Sequence, residues 1–437
     1  MDTVTATLTG QLIGLIRYKP ITDADLQAAA LFTLDACANA IGGRNTNAGR
    51  ILMRWSADHP IQPSSRSFVA GALTHILETD DLHRASVTHP GCVTVPVAMA
   101  LGAKHQVTGV ALLHAVLHGY EAMCRVGNAV GPAHYRVWHN TATCGPFGSA
   151  MVAARLLQLT DLEAQHALGN AGTQSSGLWE FLDTGAMSKH LHAGRAAESG
   201  LLAAELAALG FTGPPAILEG KKGFFAGACP DAIPARVLAD PQAAWQLVGT
   251  SIKPWPSCRH THPAIDAALD LHTQLAGRAI REVRAEVYQA AIDVCDRPDP
   301  HSEYEAKFSL YHCIAAALAD GQVNFESFDP TNRQRLAGLR RQISAQVAEP
   351  YRSAYPDTYW GAAVSVTTVE GVTLRVDRRV CKGDPDAALS RDEMVEKALM
   401  LMRHGGLDDN TAQQLVAAIL ALPSGQADWG VLQRVFV

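Results

Sequence analysis

"SKHLHAGRAAESGLLAAELAALG", residues 188–210, joins two different kinds of helix in one run. Its second half, "LLAAELAALG", is apolar around most of a helical circumference, as a helix buried among other helices is. Its first half sets Lys189, His190, His192 and Arg195 among Ala193, Gly194, Ala196 and Ala197. Small residues let neighbouring chain come close, and unpaired cations are costly in such packing. Either the cations face water or something anionic sits among them.

Outward from this stretch, the first 270 residues or so read as helix after helix. "DADLQAAALFTLDACANAIGG" (23–43) ends on a glycine pair suited to a C-cap. "TGVALLHAVLHGYEAMCRVGNAVG" (108–131) carries Leu113, Val116, Leu117, Tyr120 and Cys124 at helical spacing. "FGSAMVAARLLQL" (147–159) is again apolar nearly all round. The pattern changes near residue 280. "IREVRAEVYQAA" (280–291) alternates, and "AAVSVTTVEGVTLRVDRRV" (362–380) forms two alternating runs about Glu370-Gly371. Between them, "FSLYHCIAAALADG" (308–321) reads as a helix closed by Gly321. The expected fold is therefore mainly α, with an all-helical domain over 1–267 and a smaller α+β domain over 268–408.

The chain has 437 residues, too many for one ordinary core, so two domains are expected. A formal net charge of -6 argues against a nucleic-acid binder, which needs a basic surface. "MDTVTATLTG" has no basic start before an apolar stretch, so no leader peptide is expected. The longest uncharged run, "VTHPGCVTVPVAMALGA" (87–103), is interrupted by Pro90 and Pro96, so no membrane span is expected. Nine cysteines occur without a CxxC pair, which fits reduced thiols in the cytoplasm.

Four stretches carry chemistry. "LETDDLHRASVTHPG" (77–91) places Glu78, Asp80, Asp81 and His83 ahead of His89. Mixed carboxylates and imidazoles suit proton transfer, because neighbours shift one another's pKa toward neutrality; they also suit a metal. The bland alternative is a helix end and a polar loop. In "GAMSKHLHAGRAA" (185–197), Ser188 reads as an N-cap, which puts Lys189 in the first turn. Free N–H groups plus an ammonium make an anion site, and a lysine there is a usable base. The alternative is a surface lysine. His192 and Arg195 follow at three-residue steps and share its side.

"SIKPWPSCRHTHPAID" (251–266) holds Lys253, Cys258, Arg259, His260 and His262 in a proline-stiffened loop, either a binding loop or an exposed linker. In "RVWHNTATCGPFGSA" (136–150), His139 precedes a buried helix, where a lone histidine is more often a satisfied core group. Other motifs fail. His114 and His118 lack the glutamate of HExxH, "EGKKGFF" is no P-loop, no GxGxxG follows a strand, and "TQSSGLW" lacks the GxSxG elbow.

In this order, "DDLHRASVTHPG", "WHNTATCGPFGSA", "SKHLHAGRAAESG", "KPWPSCRHTHPAID" and "AKFSLYHCIAAAL" resemble the MmgE/PrpD family. The resemblance runs from residue 78 to about 318. It implies a large helical domain to which 409–437 returns, a smaller α+β lid, a homodimer, and no metal or organic cofactor. The family's active-site acid falls on Glu78, where aspartate is usual, its Asp-Asp pair on Asp80 and Asp81, and its His-Pro histidine on His89. The helix lysine falls on Lys189 and the loop lysine on Lys253. The usual threonine after the acid pair is Leu82, the histidine of the decarboxylases is Cys258, and a tyrosine or histidine position is His312.

The resemblance implies an enzyme that removes a proton next to a carboxylate of a small polycarboxylate. Lys189, His89, Glu78 and Asp80 are the catalytic candidates. Asp81, His83, His139, His192, Arg195, Lys253, Cys258, Arg259, His262 and His312 are the substrate-binding candidates. A 2-methylcitrate-dehydratase-like hydro-lyase stands first, an iminodisuccinate-type epimerase second and a cis-aconitate-type decarboxylase third. Two readings of other classes are a metallohydrolase on Asp80, Asp81, His83 and His89, with His260 and His262, and a non-catalytic helical scaffold.

Overall fold

A computed structural model describes residues 6–59, 62–356 and 358–436. The first five residues, on which the leader reading partly rests, lie outside them. Helix accounts for 61% of the described residues and strand for 8%, so the fold is mainly α. The chain divides into two compact units, Met1–Ser251 with Ser390–Val437, and Ile252–Leu389. The divisions expected at 267/268 and 408/409 thus fall earlier. The Ile252 N–H donates to Gly383 O and the Cys258 N–H to Lys307 O, each at 2.9 Å, which ties the 252–262 loop to the second unit. The return begins with the helix Arg391–His404, which packs on Asp23–Gly43 of the first unit.

In the first unit the helix Ser188–Ala208 touches Pro63–Thr74, Gly91–His105, Asn140–Leu156 and Asp161–Gly172. Its small residues are what permit this. A Cβ on Gly194 would sit 2.5 Å from Phe68 O, and one on Gly145 would sit 2.8 Å from Ala196 Cβ. Ser149 Oγ donates to Ala196 O at 2.7 Å across the same contact. The helix starts one residue earlier than the sequence suggests: Met187 is the cap, without a side-chain bond, and Ser188 is the first helical residue. Lys189 remains in the first turn. Pro96 does not end the run at 87–103, because it lies inside the helix Gly91–His105. No helix among the described residues is long and apolar enough to cross a membrane.

The second unit holds a four-stranded sheet in the order Ile343–Val347, Ile280–Val287, Ala362–Thr368, Thr373–Arg378. The first pair is parallel and the others antiparallel. Val283, Ala285 and Val287 face the core in strict alternation, and the helix His262–Leu275 packs on the two hairpin strands. Gly371, at φ +87°, makes the hairpin turn, a conformation that a residue with a Cβ adopts only with strain. The strand Ile343–Val347 was not anticipated.

Candidate active site

The acid block is the loop between two packed helices, Pro63–Thr74 and Gly91–His105. His75 caps the first, and Glu78 then turns the chain at φ +61°, a left-handed conformation unusual for glutamate. Strain of this kind persists only where the surroundings over-determine it, and it clusters at functional sites. The Glu78 carboxylate pairs with Lys189 Nζ, and the two side chains are 2% and 4% exposed. The opening cation therefore meets an anion supplied by the chain itself.

Beside this pair, Asp80 gathers two imidazoles. His75 Nδ1 lies 2.6 Å and His89 Nδ1 3.4 Å from Asp80 Oδ2, and His89 Nδ1 is also 2.5 Å from the Asp81 carbonyl. A carbonyl can only accept, so neutral His89 carries its hydrogen on Nδ1 and presents a lone pair on Nε2. The His75 ring stands 4.7 Å from that of His89 and stacks at 5.6 Å on that of His139. Burial pushes His75 down to about 3 against the opposing pull of Asp80, and Lys189 adds to the depression. His139 is likewise held well below its ordinary value by burial, then by His75, Lys189, His192 and His89. The ammonium thus acts on His75, one of the two rings that Asp80 collects, and on His139.

Asp81 has a different task. Its Oδ1 accepts from the Gly91 N–H at 3.0 Å and its Oδ2 from the Tyr120 hydroxyl at 2.7 Å. Burial raises its carboxyl to about 8, although both hydrogen bonds oppose the rise. A Cβ on Gly91 would stand 2.8 Å from Asp81 Oδ1, so only glycine lets the turn after His89 close on this carboxyl.

His83 points elsewhere. Its Nδ1 lies 2.8 Å from Ser86 Oγ, in a hydroxyl chain that continues to Thr88, and Leu82–His83 pairs with Thr250–Ser251. His192 reaches His139, with Nδ1 atoms 3.4 Å apart. Arg195 is exposed and pairs with Glu198, so it does not stand behind Lys189. Two three-residue steps on a helix turn a side chain through about 120° from its starting direction, enough to leave the buried face. Arg195 and His192 instead border a cleft of about 700 Å³ with Trp138, Phe181, Ser188 and Leu191.

The remaining candidates belong to the second unit. Arg259 Nη2 donates to Asp384 Oδ1 at 2.5 Å, and its guanidinium lies 5.9 Å from the Trp360 ring centre. His260 Nδ1 lies 2.8 Å from the Tyr288 hydroxyl, and His262 Nε2 lies 3.3 Å from Ser257 O. Burial, then Arg259 and Lys253, push His262 well below its ordinary value, so these three groups share one electrostatic neighbourhood. Cys258 is buried, while His312 is held by Ser327 O at 2.8 Å and pushed down to about 4 by burial.

The first unit also brings in residues that the motifs did not include. His75 precedes the acid block by one turn of chain, and Tyr120 sits on a helix read as core. A third is Lys397, which reaches the loop from the C-terminal helix. A metal reading meets a specific obstacle. Donor atoms of His75, Asp80 and His89 lie within 4.8 Å of one another, close enough for an ion. Both Nδ1 atoms point at acceptor oxygens and so carry hydrogens, which leaves Nε2 as the lone pair of each ring. Asp81 and His83, expected in that set, are committed to Tyr120 and Ser86.

Helical scaffold, buried carboxylate–lysine pair and Asp-linked histidines define a protein equipped for proton transfer beside an anion. The MmgE/PrpD N-terminal domain model matches residues 10–235 and the C-terminal domain model residues 255–422. The chain belongs to the MmgE/PrpD family. It is 26% identical over 414 residues to a cis-aconitate decarboxylase of Homo sapiens, covering 87% of this chain and 84% of that protein. It is 25% identical over 430 residues to the Mus musculus cis-aconitate decarboxylase, covering 91% and 86%. It is 26% identical over 317 residues to that of Aspergillus terreus, covering 66% and 64%. These relatives are decarboxylases by name, so they favour the reaction ranked third from the sequence over the hydro-lyase ranked first.

Proposed function

We propose that the chain is a lyase that decarboxylates a small unsaturated polycarboxylate of the cis-aconitate type. Lys189, Glu78, His89 and Asp80 would form its reacting centre. The observation that carries this is the buried Glu78–Lys189 pair, whose ammonium acts on His75, one of the two imidazoles that Asp80 gathers. In the step proposed, the bond from carbon to the departing carboxylate breaks and carbon dioxide leaves. The electron pair spreads into the neighbouring unsaturated carboxylate. The Lys189 ammonium and the N–H groups at the start of its helix stabilise that charge. Protonated His89, held through Nδ1 by the Asp81 carbonyl and Asp80, delivers its Nε2 proton to carbon and is reprotonated from solvent.

A second reading keeps the hydro-lyase and the epimerase, because Leu82 stands where the family of the resemblance usually carries threonine and Cys258 where its decarboxylases carry histidine. In those reactions neutral His89 Nε2, a lone pair in this geometry, removes the proton. The remaining candidates, Lys253, Arg259 and His262 among them, are proposed to bind substrate, and the protein is proposed to be a homodimer. The test is product analysis by NMR, with carbon dioxide capture, on a panel of unsaturated tricarboxylates, hydroxytricarboxylates and succinates. Carbon dioxide from the unsaturated acids is expected. Water loss or inversion without carbon dioxide would move the second reading into first place.

A further inference from the structure

Lys397 is a buried cation for which the proposed chemistry has no use. It lies in the helix Arg391–His404, whose sequence "RDEMVEKALMLMRH" reads as an ordinary amphipathic surface helix. Its side chain is 6% exposed, and its Nζ donates to Asp35 Oδ1 at 2.5 Å and to the Thr79 carbonyl at 2.6 Å. Thr79 is the residue after Glu78. Its hydroxyl also donates to Asn39 Oδ1, and Asn39 in turn donates to Asp35 O at 2.9 Å and Oδ2 at 3.2 Å. Close packing puts these groups in reach. A Cβ on Gly42 would stand 2.8 Å from Leu77 and 3.1 Å from Leu401 O, so this glycine lets the two helices and the acid loop meet.

Glu78 adopts its left-handed conformation immediately before this anchored residue. An unfavourable backbone state needs external fixing, and here the residue on its C-terminal side is held at both carbonyl and side chain. From this geometry we infer that Lys397, with Asp35 and Asn39, is a positioning device that holds the Thr79 peptide and thereby aims the Glu78 carboxylate at Lys189. Asp35 has a second effect: its charge is among those raising Asp81 and Tyr120. Lys397 touches no reacting atom. The inference rests on the proposed role of Glu78.

The experiment measures kcat, KM and melting temperature for Lys397→Met and Lys397→Arg, each alone and in a Glu78→Gln background. A loop shifted by about 1 Å costs turnover on the order of 10- to 100-fold. Lys397→Met is expected to lower kcat by that range with KM within about twofold, while Lys397→Arg regains part of the loss. In the Glu78→Gln background the Lys397→Met loss is expected to vanish, because an aim that no longer matters cannot be spoiled. Equal fold-losses in both backgrounds, or unchanged kcat in folded Lys397→Met, overturn the inference.

If Lys397→Met does not fold, Asp35→Asn/Lys397→Met removes both buried charges together, which buried pairs tolerate better than the loss of one partner. The same two outcomes then apply to the double variant. Wild-type protein without turnover on any acid of the panel sinks the functional proposal. In that case amide exchange decides the clamp: residues 77–81 are expected to exchange at least tenfold faster in the variant, and unchanged exchange overturns it.

Discussion

Glu78 and Lys189, 111 positions apart, meet as a buried ion pair at the point where a strained turn faces the first turn of the helix Ser188–Ala208. A buried charge without its partner is strongly destabilising, so the pair constrains both backbone segments, and either member alone would weaken the fold.

That coupling shapes the first prediction. Lys189→Ala is expected to lower kcat by about two to four decades, the range for a positioned acid, base or charge stabiliser. It is also expected to cost about 3–5 kcal/mol of stability by stranding Glu78. Glu78→Gln/Lys189→Met separates the two effects. Its stability should recover toward that of the wild type, measured by denaturant unfolding, while kcat stays low. Near-normal turnover in a folded Lys189→Ala protein would remove Lys189 from the centre.

Much of the fold was readable because its periods are clean. The helices at 140–156 and 188–208 repeat their small and apolar residues at helical spacing, and Gly371 announces the hairpin between two alternating runs. The strand Ile343–Val347 was not readable, since "ISAQV" is short and shows its alternation only against Ile280–Val287. In the site, Glu78, Asp80, His89 and Lys189 were each visible as chemistry. Their pairing was not, because it arises from helix packing across distant segments. His75 and Lys397 stand in no motif, and their place at the site is not visible in the sequence, because burial is a tertiary property. Arg195, expected on the side of Lys189, lies exposed because two three-residue steps rotate off the buried face.

The second prediction concerns acid stability. Burial pushes His75, His118 and His260 to about 3, and His83 and His312 to about 4, from an ordinary 6.5. As pH falls through 6.5 the unfolded chain takes up protons that the folded chain refuses. The stability these groups contribute is complete above 6.5 and is lost between 6.5 and about 3. Asp81 has the opposite sign. Held at about 8, it stays protonated while the unfolded carboxyl ionises from 3.8 upward, so its contribution is present at low pH and fades toward 8. Melting temperatures should therefore fall from pH 7 to pH 5, and less so in His118→Gln, which lies outside the proposed centre. Asp81→Asn should gain on the wild type as pH rises from 5 to 8. A melting temperature that is flat from 7 to 5 contradicts this account.

A third prediction tests the metal reading, whose expected members Asp81 and His83 are committed to Tyr120 and Ser86. Chelation with EDTA and dialysis should leave kcat within about twofold. Metal content by plasma mass spectrometry should be well below one ion per chain. Loss of turnover restored by a single divalent ion would reverse this, and His75→Gln would then abolish the restoration.

The last prediction addresses the reacting carbon. Whichever acid is the substrate, charge must develop on carbon beside a carboxylate and be answered by a proton. That half of the chemistry demands a less exact fit than full turnover, so analogues should report it. In deuterium oxide, the protein is expected to place deuterium at that carbon of at least one acid from the panel, read by NMR. A decarboxylase places it only in a product that has lost carbon dioxide. A hydro-lyase exchanges it in the recovered substrate alongside water loss, and an epimerase exchanges it with inversion. Lys189→Ala should suppress whichever label appears, because the developing charge loses its ammonium. His89→Asn should slow the delivery further, while substrate protection of the wild type against thermal unfolding persists in both variants. If the acids protect the protein yet no label enters any of them, the site binds carboxylates without reacting with them, and a scaffold or sensor role takes the place of the lyase.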